Sequence, residues 1–519
     1  MAVHLFLTLL LSWQAHALPS DALVTPAPTP TRAVYAAYPG AKRGIISDIT
    51  SELDSYVNSV FSELGTAIPS YVSNGLLPNL QNLPTGSEVL SSASISSSDL
   101  APTPTQVLNI PGYANWTDSG WNLRIHGNVY KQPNISNGTI DKLANYFLIG
   151  TSVAELPPSQ QDQARNVTRE IYVVQQANES VTVDILPGPE LVGNGAGGQQ
   201  TITLPYLTTS EGDFDVFIPL QNTSGELLPG EGEIPPQPMN VYAQGTDTGN
   251  ATSYLVSDQG LTVISDIDDI LRVTKIYEPK EGLLNTFARP FTPWMNMPDI
   301  YRNWSISLPN IHFHYLTTTP EQATRNYMQF IYDTYPGGSF DTRPLNFSDV
   351  AATLSIRKFL LDRIFQTFPH RKFILVADTS NSDVMRDYPE MATQYPGQVQ
   401  CIFLRNTSAT DSGDKFPYNT AGFEGLDQQL YMFFRIPEDL THLDIVNGRC
   451  YNASIPQNLT FGYQGLPFGI NQGSGESGNG TSASGTNAAG RRSGSESERW
   501  SRMGTITFLV AGVLAYSIL

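Results

Sequence analysis

Hydrophobic and polar positions follow several different patterns along the chain, and the clearest strand pattern lies near its middle. Leu261–Ile264 is an uninterrupted apolar run, which predicts a strand buried on both faces, as in a parallel sheet. From residue 259 to residue 443, strand-like runs of this kind alternate with helix-like stretches. This alternation indicates an α/β domain, in which a parallel sheet is connected through helical crossovers.

The elements of this α/β domain can be predicted individually. The predicted strands are Leu261–Ile264, Ile311–Leu316, Lys372–Val376, Val399–Leu404 and Tyr431–Arg435. The predicted helices are Glu321–Tyr335 and Ser348–Phe368. The Pro- and aromatic-rich stretch Tyr277–Asn303 is predicted to be an irregular insertion.

Residues 107–258 have a different pattern, in which apolar and polar residues alternate over short runs broken by Gly, Pro and Asn. This pattern predicts a β-rich domain, either an antiparallel sandwich or a barrel. Its strand-like runs are Asn122–Tyr130, Glu170–Val174, Thr201–Leu204 and Asp213–Ile218. Because no catalytic pattern occurs there, we expect a domain that serves as scaffold or contacts lipid or a partner.

The remaining stretches predict linkers. Residues 18–106 are rich in Pro, Ser, Ala and Thr, and apolar residues recur at steps of three and four only between residues 45 and 64. This predicts a disordered linker that contains a single amphipathic helix. Residues 444–487 are predicted to be a Gly/Ser-rich, disordered stalk.

Both ends of the chain are apolar and predict targeting signals. Residues 1–17 have the apolar core and small-residue ending of a secretory signal peptide. Residues 488–519 combine small residues, a polar spacer and a hydrophobic tail, the pattern of a GPI-anchor signal, with a C-terminal membrane segment as the alternative. We therefore expect passage through the secretory pathway to the cell surface or the exterior, with a vacuolar or ER membrane as the alternative.

Asn-x-Ser/Thr sequons are spread over the whole chain, which fits a glycosylated secretory protein. They begin at Asn115, Asn134, Asn137, Asn166, Asn178, Asn222, Asn250, Asn303, Asn346, Asn406, Asn452, Asn458 and Asn479. Cys401 and Cys450 are the two cysteines of the sequence. In an oxidising compartment they could form one disulfide, although the sequence leaves their pairing open.

The length and the net charge of the chain limit the number of domains and the kinds of ligand that we expect. A chain of 519 residues is long enough for roughly three domains. Its net charge of −19 and pI near 4.7 argue against a nucleic-acid-binding surface.

Three carboxylates, those of Asp266, Asp268 and Asp269, directly follow the central predicted strand. Open α/β sheets place their active sites at the carboxyl ends of the strands. Acids that abut a buried strand are costly without a positive partner, and a divalent cation is the usual partner of hard oxygen ligands. The alternative is a solvated acidic turn, and we interpret Asp269 as a capping residue.

Other candidate side chains lie near the ends of the following strands. Thr317 follows the second strand, and Asp378 and Asp383 follow the third. In the helix before the third strand, Lys358 falls inside the apolar stripe and Arg357 lies at its edge, so Lys358 is the preferred cation for a buried anionic site. His312 and His314, which alternate on one strand, are interpreted as core or rim residues.

The spacing of these residues resembles the four motifs of the haloacid-dehalogenase superfamily. More narrowly, the segments ISDIDDIL, HYLTTTP and FPHRKFILVADTSNSD resemble the fungal actin-patch-associated phosphatidate phosphatase family. The resemblance implies a Rossmann-type, HAD-like parallel sheet as the catalytic domain, placed after the β-rich domain. The chain departs from the family pattern at Ile270 and at Ala377-Asp378-Thr379-Ser380.

The resemblance also implies residue roles. Asp266 would be the nucleophile that forms an aspartyl-phosphate, and Asp268 the general acid and base. Mg²⁺ would be held by Asp266, the backbone carbonyl of Asp268, Asp378 and Asp383. The phosphoryl group would be bound by Thr317 and Lys358.

The sequence thus predicts an Mg²⁺-dependent phosphatase acting on phosphatidate or another phosphomonoester at a membrane surface. One alternative is a non-catalytic cell-surface glycoprotein whose phosphatase-like domain binds a phosphorylated ligand. Another is a structural wall glycoprotein that carries a relic domain. The presence of all six candidate residues favours the enzyme, since a relic domain has no reason to keep Asp266, Asp268, Thr317, Lys358, Asp378 and Asp383 together.

Overall fold

The computed structural model of the protein describes residues 31–32, 86–148, 150–187, 199–222, 227–276, 278–308, 310–343, 350–410 and 420–457. The predicted signal peptide, amphipathic helix and anchor segment lie outside the described residues. Within the described residues, no helix combines the length and the apolar composition needed to cross a bilayer.

Strands and helices have the following bounds. The strands before residue 260 are β1 (Thr31–Arg32), β2 (Thr105–Ile110), β3 (Tyr113–Thr117), β4 (Gly120–Lys131), β5 (Val174–Gln175), β6 (Thr182–Pro187), β7 (Gln200–Thr203), β8 (Tyr206–Leu207), β9 (Asp213–Pro219), β10 (Gln237–Ala243) and β11 (Asn250–Val256). The later strands are β12 (Leu261–Ser265), β13 (His312–Pro320), β14 (Ser339–Arg343), β15 (Lys372–Asp378), β16 (Val399–Arg405) and β17 (Tyr431–Phe434). The helices are α1 (Gly86–Ala93), α2 (Ser97–Leu100), α3 (Asn137–Ala144), α4 (Pro158–Ile171), α5 (Pro279–Phe287), α6 (Met297–Ser307), α7 (Glu321–Thr334), α8 (Val350–Thr367), α9 (Ser382–Gln394) and α10 (Thr407–Thr410).

The first large sheet confirms the predicted β-rich region. Its strands lie in the order β2-β4-β3-β11-β10-β6-β7, and β5 and β9 also pair with β4. The pairing of β3 with β11 is parallel and the other pairings are antiparallel. Whether this mixed sheet closes as a sandwich or a barrel stays a prediction.

One strand predicted in this region is wrong. The run Glu170–Val174 is split between the last residues of α4 and the short strand β5. Ala164, Val167 and Ile171 are buried along one side of α4 at steps of three and four, and Pro158 stands in its first turn. This helical spacing, together with a Pro that suits a helix start, outweighs the β-branched residues at the end of the run.

The second sheet is parallel throughout, as predicted. The strand order is β14-β13-β12-β15-β16-β17. Val263 on one face packs in a core with residues of α6 and α7, and Ile264 on the other face packs with residues of α8 and α9. β12 is therefore buried on both faces, which explains its uninterrupted apolar sequence.

The insertion Tyr277–Asn303, predicted to be irregular, contains α5 and the start of α6. Each of these helices has a Pro in its first turn, Pro279 in α5 and Pro298 in α6. Pro suits the start of a helix because its missing N–H has no intrahelical acceptor there. The prolines that suggested irregular structure therefore mark helix starts.

A buried network of charges connects the two sheets. Arg124 on β4 contacts Asp215 on β9 at 2.8 Å and Asp341 on β14 at 2.7 Å. Arg363 on α8 contacts the same two carboxylates at 2.9 and 2.7 Å. We call these four residues the inter-sheet ion network. It places two cations opposite two anions, so the buried charges are balanced.

Arg371 hydrogen-bonds the segment that connects the two sheets and the starts of β12 and β13. Its guanidinium donates to the carbonyl oxygens of Ser257, Leu261 and Asn310 and to the hydroxyl of Thr262. Arg371 is fully buried. One side chain therefore donates to three backbone carbonyls where the connection and the strand starts meet.

Cys401 on β16 and Cys450, which follows β17, form a disulfide with their Cα atoms 5.6 Å apart. The pairing that the sequence left open is therefore present in the structure. The bridge attaches the segment after β17 to the parallel sheet.

Candidate active site

The candidate site lies at the point where the strand order of the parallel sheet reverses. β13 and β14 lie on one side of β12, whereas β15, β16 and β17 lie on the other. Asp266 directly follows β12, and its backbone N–H donates to the carbonyl of Val376 on β15 at 2.8 Å. Asp378 is the last residue of β15. Both carboxylates therefore stand at the carboxyl ends of adjacent strands, next to a switch point of the topology.

The side chains of Asp266 and Asp378 approach a common point. Asn381 places its Nδ2 atom 3.4 Å from Oδ2 of Asp266 and 3.2 Å from Oδ2 of Asp378. The second oxygen of Asp266 accepts from the Ile267 N–H at 2.9 Å, and that of Asp378 accepts from the Ser380 N–H at 2.6 Å. One oxygen of each carboxylate is thus held by the backbone, and the other faces the shared donor.

Burial and mutual repulsion shift the protonation of these acids. Burial raises the pKa of Asp266 to about 8, against the opposing charge of Arg357. The nearby carboxylates of Asp378, Asp268 and Asp383 add to this rise. Burial raises the pKa of Asp378 as well. Burial is thus the main cause that favours the protonated forms of Asp266 and Asp378.

Arg357 on α8 is the cation that contacts the predicted carboxylates. Its Nη2 atom lies 3.1 Å from Oδ2 of Asp266, and its Nε atom lies 2.8 Å from Oδ2 of Asp383. Although burial acts the other way, the charge of Arg357 holds the pKa of Asp383 below its ordinary value. Arg357 therefore links the carboxylate that follows β12 to the carboxylate in the first turn of α9.

The predicted placement of Lys358 in this cluster is wrong. Its Nζ atom lies 3.2 Å from Asp362, 3.3 Å from Glu390 and 2.6 Å from Gln394, between α8 and α9. Consecutive residues of a helix point about 100° apart, so Arg357 and Lys358 cannot both face the sheet edge. The structure therefore places Arg357, and not Lys358, beside the predicted carboxylates.

Asp268 and Thr317 lie on the side of β13. Thr317 is buried, and its hydroxyl accepts from the N–H of Thr319 at 3.1 Å. The hydroxyl of Thr319 lies 3.4 Å from Oδ2 of Asp268. Oδ1 of Asp268 accepts from Arg272 and from Thr274. The turn that follows β13 is therefore connected to the second acid of the Asp266-x-Asp268 pair.

Asp269 is a turn cap, as predicted. Its carboxylate accepts from the backbone N–H groups of Thr274, Lys275 and Ile276, and its φ is +61°. Three backbone donors on one carboxylate fix the turn after β12. Asp269 therefore fixes the backbone that follows Asp268.

His312 and His314 are buried core residues, as predicted. His314 contacts Ser339 at 2.7 Å and Asp341 at 3.2 Å, and His312 contacts the same Ser339 hydroxyl at 3.1 Å. Burial lowers the pKa of both rings, so both are neutral at pH 7.

No group of three or more His, Cys, Asp or Glu side chains in the described ranges is arranged to hold a metal ion. Among the predicted ligands, Asp266 and Asp378 have Oδ2 atoms that share the Asn381 amide. Asp383 is engaged by Arg357 instead.

Four residues of the site escaped the sequence analysis or were ranked too low: Arg357, Asn381, Arg272 and Thr274. Arg357 does have a signal in the sequence, since it lies at the edge of the apolar stripe of its helix, next to Lys358. The other three follow an acidic motif within a few residues, but their contacts depend on how the turns fold back. Spacing along the chain does not give such contacts.

Comparisons with known proteins agree with the motifs. Residues 261–406 match the family model described as the catalytic domain of phosphatidate phosphatase APP1. Phosphatidate phosphatase APP1 of Saccharomyces cerevisiae is 26% identical over 236 residues, which cover 44% of this chain and 38% of that protein. The chain thus spans well under half the length of this relative.

Solved structures give weaker likenesses. A GH2 β-galacturonidase from Eisenbergiella tayi matches with a TM-score of 0.20 and 8% identity, over 58% of this chain and 50% of that one. β-Glucuronidase 2 of Bacteroides uniformis matches with a TM-score of 0.15 and 9% identity, over 58% and 36%. Likenesses this low support no conclusion about fold or function.

The family predicted from the sequence motifs is confirmed by the family model and by the yeast relative. Asp266, Asp268, Thr317, Arg357, Asp378 and Asp383 all lie inside the matched range. Residues 261–406 therefore match the catalytic domain of the phosphatidate phosphatase APP1 family.

Proposed function

We propose that the chain is an Mg²⁺-dependent phosphatase with a HAD-like catalytic domain, which hydrolyses a phosphomonoester through an aspartyl-phosphate. The observation that carries this proposal is the position of Asp266. It directly follows the central strand, faces Arg357 and Asp378, and lies in the range that matches a phosphatase catalytic domain. A buried carboxylate beside a fixed guanidinium suits attack on an anionic phosphoryl group, because the cation offsets the charge of the incoming anion.

The chain's own residues divide the chemistry as follows. Asp266 attacks phosphorus, and the phosphorus–oxygen bond to the leaving group breaks. Asp268 gives a proton to the leaving oxygen and later takes one from the water that hydrolyses the aspartyl-phosphate. Arg357 offsets charge on the phosphoryl oxygens, and the Thr317 hydroxyl donates to one of them.

The donor set at the site fits Mg²⁺. This ion commonly uses one or two carboxylates and completes its shell with waters and substrate phosphates, so a third protein carboxylate is not required. The Oδ2 atoms of Asp266 and Asp378 approach one point at the Asn381 amide, and both carboxylates are buried there. The backbone carbonyl of Asp268 would be a further ligand, and Asp383 would support the site through Arg357. The bound ion would neutralise the carboxylates and polarise the phosphoryl group.

The substrate class is proposed from the relative. The yeast protein is named a phosphatidate phosphatase, so a phosphorylated lipid is the first substrate to test. A phosphorylated lipid would bring the chain to a membrane surface. Other phosphomonoesters share the reacting group and belong in the same assay.

A secretory location is part of the proposal, with a GPI anchor as the membrane attachment. The disulfide between Cys401 and Cys450 supports an oxidising compartment, because cytosolic thiols are usually kept reduced. Several sequon asparagines are exposed, among them Asn134, Asn166 and Asn303, whereas Asn115 and Asn406 are half-buried. In the native host, mass spectrometry before and after glycosidase treatment should show glycans on the first three. Unmodified asparagines at all three exposed sequons would overturn the secretory proposal.

The catalytic proposal is tested with the purified full chain in Mg²⁺. The wild type should hydrolyse 4-nitrophenyl phosphate and phosphatidate in mixed micelles. Asp266→Asn keeps the shape of the side chain but replaces the nucleophilic carboxyl group by an amide, and should lower kcat by at least about 10³-fold. Asp299→Asn, an exposed acid in the first turn of α6, is the matched control and should leave kcat unchanged.

Beryllium fluoride, which mimics a phosphorylated aspartate, should inhibit the wild type and fail to bind Asp266→Asn. Unchanged activity in Asp266→Asn would refute the assignment of the nucleophile. Phosphatidate binding without turnover of any phosphomonoester would favour the non-catalytic glycoprotein instead.

A further inference from the structure

Asp268 is held by one of its two carboxylate oxygens. Oδ1 accepts from Nε of Arg272 at 3.0 Å, from Nη2 of Arg272 at 2.8 Å and from the hydroxyl of Thr274 at 2.7 Å. Oδ2 lies 3.4 Å from the hydroxyl of Thr319, at the long end of hydrogen-bond distances. The two oxygens of one carboxylate therefore have very different surroundings.

Arg272 is itself fixed in place. It is fully buried, and its guanidinium lies 4.2 Å from the ring centre of Tyr327 and 5.2 Å from that of Phe291. Its backbone carbonyl accepts from the N–H of Asp269 at 2.9 Å. Rings around the guanidinium and hydrogen bonds on the backbone leave it little freedom to follow a moving carboxylate.

Thr274 is fixed by the same turn. Its backbone N–H donates to Oδ1 of Asp269 at 3.0 Å, and its side chain is buried. The hydroxyl that contacts Asp268 therefore belongs to a backbone that the turn cap already constrains. Arg272 and Thr274 approach Oδ1 from two separately anchored positions.

From this geometry we infer that Arg272 and Thr274 are positioning residues for Asp268. Three donors occupy Oδ1 and fix the rotation of the carboxylate, so Oδ2 is the oxygen that exchanges a proton with the leaving group. Oδ2 faces Thr319, two residues after Thr317. The inference rests on the proposed phosphatase function. It adds that Oδ2 of Asp268 transfers the proton, and that Arg272 and Thr274 determine this choice by holding Oδ1.

A merely structural role and a positioning role predict different kinetics. The ratio kcat/KM covers the steps up to departure of the leaving group, for which an alkyl phosphate needs a proton donor far more than a 4-nitrophenyl phosphate does. A loosened Asp268 should therefore slow the alkyl substrate selectively. A general loss of folded enzyme should slow both substrates equally.

The experiment compares kcat/KM of the full chain on 4-nitrophenyl phosphate, phenyl phosphate and a primary-alkyl phosphate. Thr274→Val keeps the shape of the side chain but removes the hydroxyl, and should lower kcat/KM by about 10-fold on the alkyl substrate and by less than about 2-fold on the nitrophenyl substrate. Thr274→Ser restores a hydroxyl and should return the wild-type dependence on leaving group. Thr262→Val, which removes a buried hydroxyl bonded to Arg371 at the other end of β12, should change no substrate selectively.

Arg272→Lys is the second variant, since an ammonium group cannot reproduce two donors of fixed geometry, and it should show the same selective loss. Thermal unfolding confirms that each variant is folded. Equal losses on all three substrates in folded Thr274→Val would overturn the positioning role and leave the phosphatase proposal standing. A wild type that hydrolyses none of the three would overturn both.

Discussion

The choice between Arg357 and Lys358 is made by the rotation of α8 rather than by the chemistry of either residue. Both are cations, and they are neighbours in the sequence. Arg357 contacts Asp266 and Asp383, whereas Lys358 contacts Asp362 and Glu390. The two positions therefore provide a matched pair for testing which cation serves the site.

We expect Arg357→Met to lower kcat/KM by about 10² to 10³-fold, the usual cost of removing one donor that offsets transition-state charge. Lys358→Met should change kcat/KM by less than about 3-fold, because its partners Asp362 and Glu390 are not among the carboxylates of the site. Steady-state kinetics on 4-nitrophenyl phosphate checks both values. The reverse order of effects would restore the assignment made from the sequence.

His126 on β4 is a buried histidine next to the inter-sheet ion network. Burial, and then the charge of Arg124, lowers its pKa to about 3, although Asp215 and Asp341 act the other way. Between pH 6.5 and pH 3 the unfolded chain binds a proton at this residue that the native chain does not bind. Stability should therefore fall as the pH falls through this window, by up to about 1.4 kcal/mol per pH unit.

The substitution His126→Asn should make the decline of the unfolding midpoint between pH 7 and pH 5 less steep. His312 and His314 have lowered pKa values as well, so a slope of the same sign should remain. Thermal unfolding of the full chain at several pH values is the measurement. An identical pH dependence in His126→Asn and wild type would show that His126 does not contribute.

Helices and strands were predictable where one physical signal dominated. β12 and β15 are apolar because both faces of the sheet are covered, and their sequences indicated this. β14, with the sequence Ser-Phe-Asp-Thr-Arg, is fully buried but was not predicted. Its polar residues are compensated by side chains distant in the sequence, such as Arg124 and Arg363, and local periodicity cannot report that compensation.

The sequence predicted the carboxylates of the candidate site better than it predicted the side chains that contact them. Asp266 and Asp378 were identifiable because acids follow buried strands, and adjacent parallel strands bring their ends together. The positions of Arg272 and Thr274 depend on the turn that Asp269 caps with a positive φ. A turn of this kind reverses the direction of side chains within a few residues, so spacing alone did not place them.

The disulfide between Cys401 and Cys450 connects β16 to the segment after β17, and the sequence alone does not show this pairing. Its contribution to stability can be measured. The bridge closes a loop with a sequence separation of 49 residues, for which chain entropy predicts about 4 kcal/mol of stabilisation. Replacing both Cys401 and Cys450 by Ala should lower the free energy of unfolding by roughly 2–5 kcal/mol.

Guanidinium unfolding with and without reductant measures this difference. Under reducing conditions the unfolded wild type loses its cross-link, so most of the difference should disappear. A difference that persists in full reductant would assign the stabilisation to packing rather than to the bridge.

The whole molecule is held together in part by the inter-sheet ion network. Although burial acts the other way, Arg124 and Arg363 hold the pKa of Asp341 well below its ordinary value. Asp341 accepts from both arginines at 2.7 Å. Removing its charge would leave two buried cations facing the single carboxylate of Asp215.

We therefore expect Asp341→Asn to destabilise the protein by about 3–5 kcal/mol, the usual cost of breaking a buried ion pair from one side. Asp162→Asn, which removes an exposed partner of Arg165, should change stability by less than about 1 kcal/mol. Chemical unfolding of both variants tests the comparison. Equal effects would mean that the network is no more important than a surface pair.

The strand order also has a consequence for synthesis of the chain. β12 pairs with β15, and the register joins Leu261 to Lys372, which leaves the ribosome 372 − 261 = 111 residues later. At about 5–20 residues per second, the strand that precedes Asp266 waits roughly 5–20 s for this neighbour. During that interval the strands of the β-rich sheet are already complete, whereas an apolar strand edge of the catalytic domain stays uncovered. We expect ribosome-bound chains arrested before Lys372 to recruit chaperones and to be cleaved by added protease after residue 260, and chains arrested beyond residue 457 to resist both.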